Sequence, residues 1–215
     1  MADAAHPALT TLQALLPDAT VAGGDFAHTL PSPAAVPVLD RPQIFRTARF
    51  VAGENCIKDL LKNAGIPDRI IRNGEGGERL WPKEHVGSLT YKKTTVLGAL
   101  AHSSRLTMLG IDLESIDRDG MALIESTIAP EGLPPGTSSE LGVLLAFSAK
   151  EAVFKAQYPA TTRRLDFSDV RLKWTGSGHA QGDARAACPD GVILGVRFKI
   201  VDRWLVSVAS ADRNI

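Results

Sequence analysis

The sequence predicts an α+β fold, and three observations support this prediction. First, 44% of the 215 residues are apolar and 22% are charged, which is sufficient to bury the core of a globular protein. Second, two long stretches, residues 42–63 and 139–158, carry the start and stop signals of helices. Third, several short runs rich in Val, Ile, Leu and Thr lie between turn residues and predict strands.

The N-terminal elements follow in order. Residues 8–16 predict a short helix, because four leucines share one face and Pro17 follows. Residues 20–40 are rich in proline and glycine and predict strand and loop. A longer helix is expected over residues 42–63, with Pro42 tolerated in its first turn and Gly65 and Pro67 ending it.

The remaining elements alternate between loops, strands and one helix. Residues 72–87 predict a loop, and strands are expected at 86–91, 94–101 and 107–114. A Pro/Gly loop then precedes a helix over 139–158, which Thr137 or Ser138 caps and Pro159 closes. The last strands are expected at 170–174, 192–201 and 204–209, with turns at the glycines around 176–182 and at 189–191. Two halves divided near residue 105 are compatible with this pattern.

The charges cancel, but they are unevenly distributed. The chain has 24 Lys and Arg and 24 Asp and Glu residues, so its formal net charge is zero. This balance argues against a protein held to nucleic acid by bulk charge. Residues 41–93 nevertheless carry 11 basic and 6 acidic residues, whereas residues 112–140 carry seven acidic residues and a single arginine. A basic segment is therefore followed by an acidic one.

Compartment signals in the sequence are few. No apolar run approaches the roughly 18–20 residues of a membrane span, and the N-terminal residues lack the cationic start of a signal peptide. Cys56 and Cys188 stand in no metal-ligand spacing. These observations favour thiols in a reducing cytoplasm over a disulfide, and they predict no membrane partner.

The first candidate site is the run GIDLE at residues 110–114. On a strand, Asp112 and Glu114 face the same side, while Ile111 and Leu113 face the other. Two neighbouring carboxylates repel each other unless a cation lies between them. Oxygen ligands favour Mg²⁺, with Mn²⁺ as a substitute. The alternative is an exposed strand end with two solvated acids.

The second candidate site is the run FSAKEAVFK at residues 147–155. On a helix, Glu151 and Lys155 are four residues apart and share a face, with Lys150 near the same polar edge. The alternative is an ordinary surface ion pair, which contributes only a few tenths of a kcal/mol. A third, weaker signal is Trp81-Pro82 followed by residues 86–91, a Gly/Ser turn that leads into a strand and offers N–H and hydroxyl groups to a phosphate.

Taken together, the order WP…GSLT, GIDLE and FSAKEAVFKA resembles the 4′-phosphopantetheinyl transferase superfamily. The similarity is greatest to its monomeric type, which includes enterobactin synthetase component D. It extends from about Arg46 to the end of the chain. The resemblance implies two pseudo-symmetric α/β halves, residues 1–105 and 106–215, packed around a central cleft. It also implies transfer of the phosphopantetheine arm of coenzyme A to a serine of an acyl or peptidyl carrier protein, with release of adenosine 3′,5′-bisphosphate.

The resemblance also implies roles for individual residues. Asp112, Glu114 and Glu151 would ligate Mg²⁺, Lys155 would contact a phosphate, and Lys150 would lie beside it. Ser88 and Thr90 would belong to a phosphate-contacting loop. A metal and a lysine offset the charge of the leaving group. The general base is Glu151 itself or a metal-bound water that it orients.

Two positions depart from the family pattern, and both concern coenzyme A. Tyr91 stands where the family has a histidine, and Glu54 follows Gly53 where the family has an arginine. Compensating cations are available in the sequence, although a solvated basic turn is the alternative for Lys92 and Lys93. These candidate coenzyme A-binding residues are Arg46, Arg49, Tyr91, Lys92 and Lys93.

Two functions from different classes follow. The first is an Mg²⁺-dependent, monomeric transferase acting in secondary metabolism, on siderophore, nonribosomal peptide or polyketide carriers. The second is a diverged relative with another substrate, or a noncatalytic protein that binds coenzyme A or a nucleotide. A purely structural protein would leave Asp112, Glu114, Glu151 and Lys155 unexplained.

Overall fold

The computed structural model describes residues 6–31, 41–67, 69–117, 133–178, 180–189 and 191–213. Most of the acidic segment, residues 118–132, lies outside the described residues. The elements, in chain order, are α1 (Pro7–Leu15), β1 (Thr20–Asp25), α2 (Arg41–Asn63), β2 (His85–Lys92), β3 (Thr95–His102), β4 (Leu106–Ser115), α3 (Ser139–Thr161), β5 (Arg171–Ser177), β6 (Gln181–Ala187), β7 (Ile193–Val201) and β8 (Trp204–Asp212). The predicted α+β class is confirmed.

Within the described residues, the strands form two antiparallel sheets. One has the order β1-β3-β2, and the other has the order β4-β8-β7-β6-β5. The change from one sheet to the other falls in the turn between β3 and β4. The division into halves at residue 105 stays a prediction about how the chain is organised.

Helix α2 lies against the three-stranded sheet and forms as predicted. Its buried face carries Ala52, Cys56 and Leu60, which pack in one cluster with Val96 and Leu100 of β3. After the helix, Gly65 has φ +70°, a left-handed backbone that glycine adopts without strain, and this ends the helix.

A shared core joins the two sheets. The side chains of Leu97 and Ala99 from β3 pack in one cluster with Ile111 and Leu113 from β4, and helix α1 contributes Leu12. All five side chains are at most 1% exposed. Because Ile111 and Leu113 point into this core, the alternate residues of β4 face the opposite side, as the strand period requires.

Helix α3 begins as predicted and ends later than predicted. Ser138 is the N-cap, and its side chain accepts a hydrogen bond from the Leu141 N–H at 3.3 Å. The expectation that Pro159 closes the helix is wrong, because the helix continues to Thr161. A proline this close to the C-terminus removes one hydrogen bond of the final turn. The Thr162 N–H then bonds the Tyr158 carbonyl at 2.8 Å and ends the helix in a left-handed residue.

Two expectations about the sheets need correction. Strand β6 was not predicted, because its sequence QGDARAA is poor in β-forming residues. It pairs with β5 and β7 and buries only the small side chains of Ala184 and Ala186. The strand expected at residues 86–91 is confirmed as β2, which pairs with β3 along its whole length, so Ser88 and Thr90 lie on a strand and not in the phosphate-contacting loop that the resemblance implied.

Among the helices in the described parts of the chain, none is both long enough and apolar enough to cross a membrane.

Candidate active site

Two buried carboxylates lie side by side on β4. Asp112 is 4% exposed and Glu114 is 8% exposed. They share the face of β4 that is turned away from the core containing Ile111 and Leu113. The predicted alternative, an exposed strand end with solvated acids, is wrong because both side chains are buried. Carboxylates are rarely this buried unless their charge is compensated.

Hydrogen bonds from three elements hold the Asp112 carboxylate. Lys155 Nζ of α3 donates to Oδ1 at 2.6 Å, and Thr90 Oγ1 of β2 donates to the same oxygen at 3.3 Å. Ser148 Oγ of α3 donates to Oδ2 at 2.9 Å and also lies 2.9 Å from Ser207 Oγ. Since Ser148 gives its one proton to the carboxylate, Ser207 must donate to Ser148. Both oxygens of the Asp112 carboxylate therefore accept hydrogen bonds from the protein.

The second carboxylate, Glu114, forms an ion pair with Lys92 of β2. Burial raises the pKa of Glu114 above its ordinary value, and the nearby charge of Asp112 raises it further. The hydrogen bond and charge of Lys92 oppose this rise. Two carboxylates this close need positive charge, which Lys92 and Lys155 supply in this structure.

Glu151 lies on α3, one helical turn before Lys155. Burial raises the pKa of Glu151, and the charge of Asp112 adds to the rise, whereas Lys155 opposes it. Lys150 is 6% exposed, and its Nζ donates to the Phe167 carbonyl at 2.7 Å. Lys150 and Glu151 line a small cavity of about 180 Å³ beside Phe154.

The three predicted metal ligands supply suitable donors, but they do not form a ready-made metal centre. Carboxylate oxygens are the ligands that Mg²⁺ prefers, and both carboxylates of β4 are buried beside each other. Within the described ranges, however, no three or more His, Cys, Asp or Glu side chains are grouped to hold a metal ion. Asp112 and Glu114 each bond a lysine instead, so the donor chemistry fits a divalent cation that displaces these lysines.

A cleft of about 440 Å³ opens beside this cluster. It brings together three predicted residues, Ser88, Tyr91 and Lys155, from β2 and α3. The cleft also contains Trp81, from the third predicted signal. Sequence reasoning missed four further lining residues that carry charge or an aromatic ring, and no spacing pattern signalled them: Glu78, Arg79, Tyr158 and Arg164. A larger groove of about 750 Å³ lies between the α1–β1 connection and strands β6 to β8, and none of the predicted site residues lines it.

The hydroxyls of Ser88 and Thr90 are already engaged within the protein. Ser88 is 6% exposed, and its Oγ accepts the Ile111 N–H at 3.1 Å. Thr90 is 3% exposed and bonds both Asp112 and Lys155. Their observed partners are therefore protein groups that organise the carboxylate site.

Tyr91 points to the opposite face of β2, towards α2. The Arg49 guanidinium lies 4.5 Å from the centre of its ring. A Cβ on Gly53 would lie 1.9 Å from the Tyr91 hydroxyl oxygen, so a side chain there could not coexist with the tyrosine. Burial raises the pKa of Tyr91, which keeps the phenol neutral.

The other predicted cations lie outside the lining of the cleft. Lys92 pairs with Glu114, and Lys93 Nζ lies 2.6 Å from an oxygen of Asp117. Arg46 is exposed on α2 and donates to the Gln43 side chain at 3.0 Å. Both lysines thus pair with carboxylates of the acidic segment, and Lys93 remains exposed in the turn after β2, as the alternative of a solvated basic turn expects.

Comparison with known proteins points to one superfamily. Residues 108–196 match the family model of the 4′-phosphopantetheinyl transferase superfamily. The matched segment contains Asp112, Glu114, Glu151 and Lys155. This segment is therefore similar to the superfamily that the three motifs resemble.

Individual relatives agree with this relationship. The chain is 34% identical over 134 residues to the 4′-phosphopantetheinyl transferase Npt of Nocardia iowensis, a match that covers 59% of each chain. It is 29% identical over 160 residues to PptT of Mycobacterium tuberculosis, covering 68% of this chain and 69% of the relative. It is 27% identical over 125 residues to enterobactin synthase component D of Salmonella typhimurium, covering 52% and 48%. The chain thus spans about 59% of the Nocardia relative.

Proposed function

We propose that this protein is a 4′-phosphopantetheinyl transferase. It moves the phosphopantetheine arm of coenzyme A to a serine hydroxyl of an apo carrier protein and releases adenosine 3′,5′-bisphosphate. The observation that carries the proposal is the buried Asp112 carboxylate, held by Lys155 at 2.6 Å beside a cleft that Lys155 also lines. The similarity to proteins named as 4′-phosphopantetheinyl transferases supports the same activity.

The reaction needs a divalent cation, and we assign it to Asp112, Glu114 and Glu151. Bound there, Mg²⁺, or Mn²⁺ in its place, would polarise the pyrophosphate and offset its charge. Asp112 and Glu114 provide two buried carboxylates that lysines neutralise in this structure. The rise in the pKa of Glu114 caused by Asp112 reflects their mutual repulsion, which a dication would relieve.

Lys155 and Glu151 have complementary roles in the proposed transfer. The serine oxygen attacks the pantetheine-side phosphorus of the pyrophosphate, and the bond from that phosphorus to the bridging oxygen breaks, so negative charge builds on the departing adenosine 3′,5′-bisphosphate. Lys155 reaches the cleft and can neutralise that charge. Glu151 accepts the serine proton, directly or through a metal-bound water that it orients.

The partners proposed here are coenzyme A and an acyl or peptidyl carrier protein. The substrates would meet in the cleft between the two proposed halves, and one copy of the chain would suffice. We place the activity in cytoplasmic secondary metabolism, on siderophore, nonribosomal peptide or polyketide carriers. Cys56 and Cys188 are both free, buried thiols, which fits a reducing compartment. Neither nucleic acid nor a membrane is proposed as a partner.

A second candidate is a diverged relative that has lost pantetheine transfer and retains binding of coenzyme A or a nucleotide. Tyr91 and Glu54 motivate it, because they remove positive charge from a site that would hold phosphates. Glu54 is, however, paired with Arg79 at 2.8 Å, so its charge is compensated within the protein. This pairing favours the transferase over the diverged relative.

A panel of apo carrier proteins tests the proposal. Each carrier is incubated with the protein, coenzyme A and Mg²⁺, and its intact mass is measured. We expect at least one carrier to gain one phosphopantetheinyl group on its serine. No gain on any siderophore, polyketide, nonribosomal peptide or fatty acid carrier, together with tight binding of coenzyme A in calorimetry, would favour the diverged relative.

A further inference from the structure

The cleft contains two arginines that sequence motifs did not identify as functional. Arg79 lies in the turn before β2, and Arg164 follows α3, so they line the cleft from segments distant in sequence. With Lys155, they place three cationic side chains along one cavity. Glu78 is the only carboxylate among the described lining residues. Its side chain folds back over its own turn, so that one of its oxygens would lie 2.1 Å from a Cβ placed on Gly74. The lining therefore favours an anion.

Arg79 is held in a defined position. Its Nη2 lies 2.8 Å from Glu54 Oε1 of α2, and its Nη1 donates to the Ile71 carbonyl at 3.3 Å. Its backbone is fixed by a bridge to Asn73 across the turn. The turn itself is seated on α3, because a Cβ on Gly76 would lie 1.8 Å from the Tyr158 hydroxyl oxygen.

This anchoring leaves hydrogen-bond donors for a ligand. A guanidinium has five N–H donors, of which the hydrogen bond to the Ile71 carbonyl uses one, while Glu54 forms an ion pair with the same group. The side chain of Arg79 is 20% exposed and that of Glu54 is 28% exposed, so the pair is largely shielded from water. A planar guanidinium that is already oriented loses little freedom when it binds a phosphate. Arg164 is exposed, and no carboxylate in the described parts of the chain lies within ion-pair distance of it.

We propose that Arg79 and Arg164 bind a phosphate of coenzyme A in this cleft, and that Glu54 is the positioning residue for Arg79. The proposal rests on the proposed function only for the identity of the phosphate ligand. It gives Glu54 a positive role: the acid does not face the ligand but orients the arginine that does. It also assigns the recognition of phosphate to residues other than Lys92 and Lys93, which pair with Glu114 and Asp117.

Direct binding is the test. Coenzyme A and adenosine 3′,5′-bisphosphate are titrated calorimetrically into the wild-type protein and into Arg79→Ala, Arg79→Lys and Arg164→Ala. A charge-assisted bond of this kind predicts an affinity about ten- to hundredfold weaker for each alanine variant, with partial recovery in Arg79→Lys. Arg105→Ala, an exposed arginine in the separate 750 Å³ groove, is the matched control and should bind as the wild type does. Unchanged affinity in both Arg79→Ala and Arg164→Ala would overturn the proposal.

The positioning role of Glu54 is tested with separate variants. Glu54→Gln should weaken binding less than Arg79→Ala does, because the arginine remains but loses its anchor. A double variant with Glu54→Arg and Arg79→Glu swaps the two members of the ion pair. It should bind coenzyme A more tightly than Arg79→Ala does, because an arginine and its carboxylate partner again occupy these two positions. If Glu54→Gln instead binds coenzyme A more tightly than the wild type, the acid repels the ligand and its positioning role is refuted.

Steady-state transfer separates this inference from the proposed function. In Arg79→Ala, we expect the KM for coenzyme A to rise while the KM for the carrier protein stays unchanged. A wild-type protein that binds coenzyme A through these arginines but modifies no carrier would refute the transferase and leave the phosphate site intact. A wild-type protein that modifies carriers, with an unchanged KM for coenzyme A in both arginine variants, would refute the phosphate site alone.

Discussion

At the scale of single residues, the site is organised by the cost of burying charge. Asp112 is 4% exposed, and the protein satisfies both of its oxygens through Lys155, Thr90 and Ser148. Glu114, two residues on, is similarly buried and takes its counter-charge from Lys92. Leaving either carboxylate without a partner would cost several kcal/mol. These lysines therefore neutralise the acids in the structure and would be released when a dication takes their place.

Glu151 gives a prediction about pH. Burial and Asp112 raise the pKa of Glu151 above the ordinary 4.5 in the metal-free site. Because protons then compete with Mg²⁺ for this carboxylate, we expect transfer at limiting Mg²⁺ to fall on acidification at a higher pH than an exposed glutamate would cause. Glu151→Gln should lower kcat by about a hundredfold or more and remove this acidic limb. The measurement is the pH profile of the transfer rate at limiting Mg²⁺, with Asp59→Asn, an exposed acid on α2, as the control. A glutamine variant with the wild-type profile would contradict the assigned role of Glu151.

The same pKa shift predicts a change in stability. The folded protein holds the Glu151 proton more tightly than the unfolded chain does, so this stabilisation is complete below pH 4.5 and is lost as pH rises through the raised pKa. Compared with Glu151→Gln, the wild type should therefore lose stability between about pH 4 and neutrality. Urea unfolding of both proteins across this range measures the difference. A glutamine variant that becomes relatively less stable towards neutral pH would contradict the assigned shift.

At the scale of elements, the site depends on how closely β4 approaches α3. Gly110 lies on β4, and a Cβ at that position would be 2.0 Å from the Ala152 carbonyl oxygen and 2.5 Å from the Ala156 nitrogen. These atoms belong to the helix backbone, which cannot move aside as a flexible side chain would. The absence of a side chain at Gly110 thus lets the strand with the carboxylates lie directly against the helix that carries Glu151 and Lys155.

The close approach of β4 and α3 predicts what a methyl group added at Gly110 would do. Gly110→Ala should destabilise the protein by about 1–3 kcal/mol through overpacking and should also reduce transfer, because α3 shifts relative to Asp112. Gly195→Ala on β7 is the matched control, since its nearest neighbour would be 3.8 Å away. Chemical denaturation measures the free energy of unfolding of both variants. Equal stability of the two would show that the close approach of β4 and α3 is not important.

Most elements were predictable from the sequence, whereas the partners across the site were not. Proline, glycine and cap residues marked α2 and α3, and the GIDLE alternation marked the carboxylate strand. Strand β6 was missed because alanine and glycine carry little strand preference, and its stability comes from pairing on both sides. The pairing of Glu54 with Arg79 joins a helix to a distant turn, and no local pattern specifies such a contact.

At the scale of the whole molecule, the basic segment and the acidic segment are joined by ion pairs where one follows the other. Lys92 and Lys93, at the end of the basic segment, pair with Glu114 and Asp117, at the start of the acidic one. The two sheets also share one apolar core, and a hydrogen bond links them directly: Ser88 Oγ of β2 accepts the Ile111 N–H of β4 at 3.1 Å. Sequence analysis assigned Ser88 to a phosphate, and the structure gives its hydroxyl this connection.

Removing the hydrogen bond between Ile111 and Ser88 should weaken the attachment of one sheet to the other. Ser88→Ala leaves the buried Ile111 N–H without an acceptor, which should cost about 1–3 kcal/mol of stability. Hydrogen exchange of the Ile111 amide should accelerate, whereas Ser104→Ala, an exposed serine, should leave it unchanged. Unaltered exchange in Ser88→Ala would contradict a role for this hydroxyl in joining the sheets.

The central claim is that the Asp112 cluster supports metal-dependent transfer of phosphopantetheine. The measurement that tests it most directly is the intact mass of one responsive apo carrier after a fixed time with the protein and coenzyme A. Three reactions are compared: wild type with Mg²⁺, wild type with a chelator, and Asp112→Asn with Mg²⁺. We predict one added phosphopantetheinyl group in the first reaction, and at least about a hundredfold slower modification in the other two. Equal modification in all three reactions would contradict the claim.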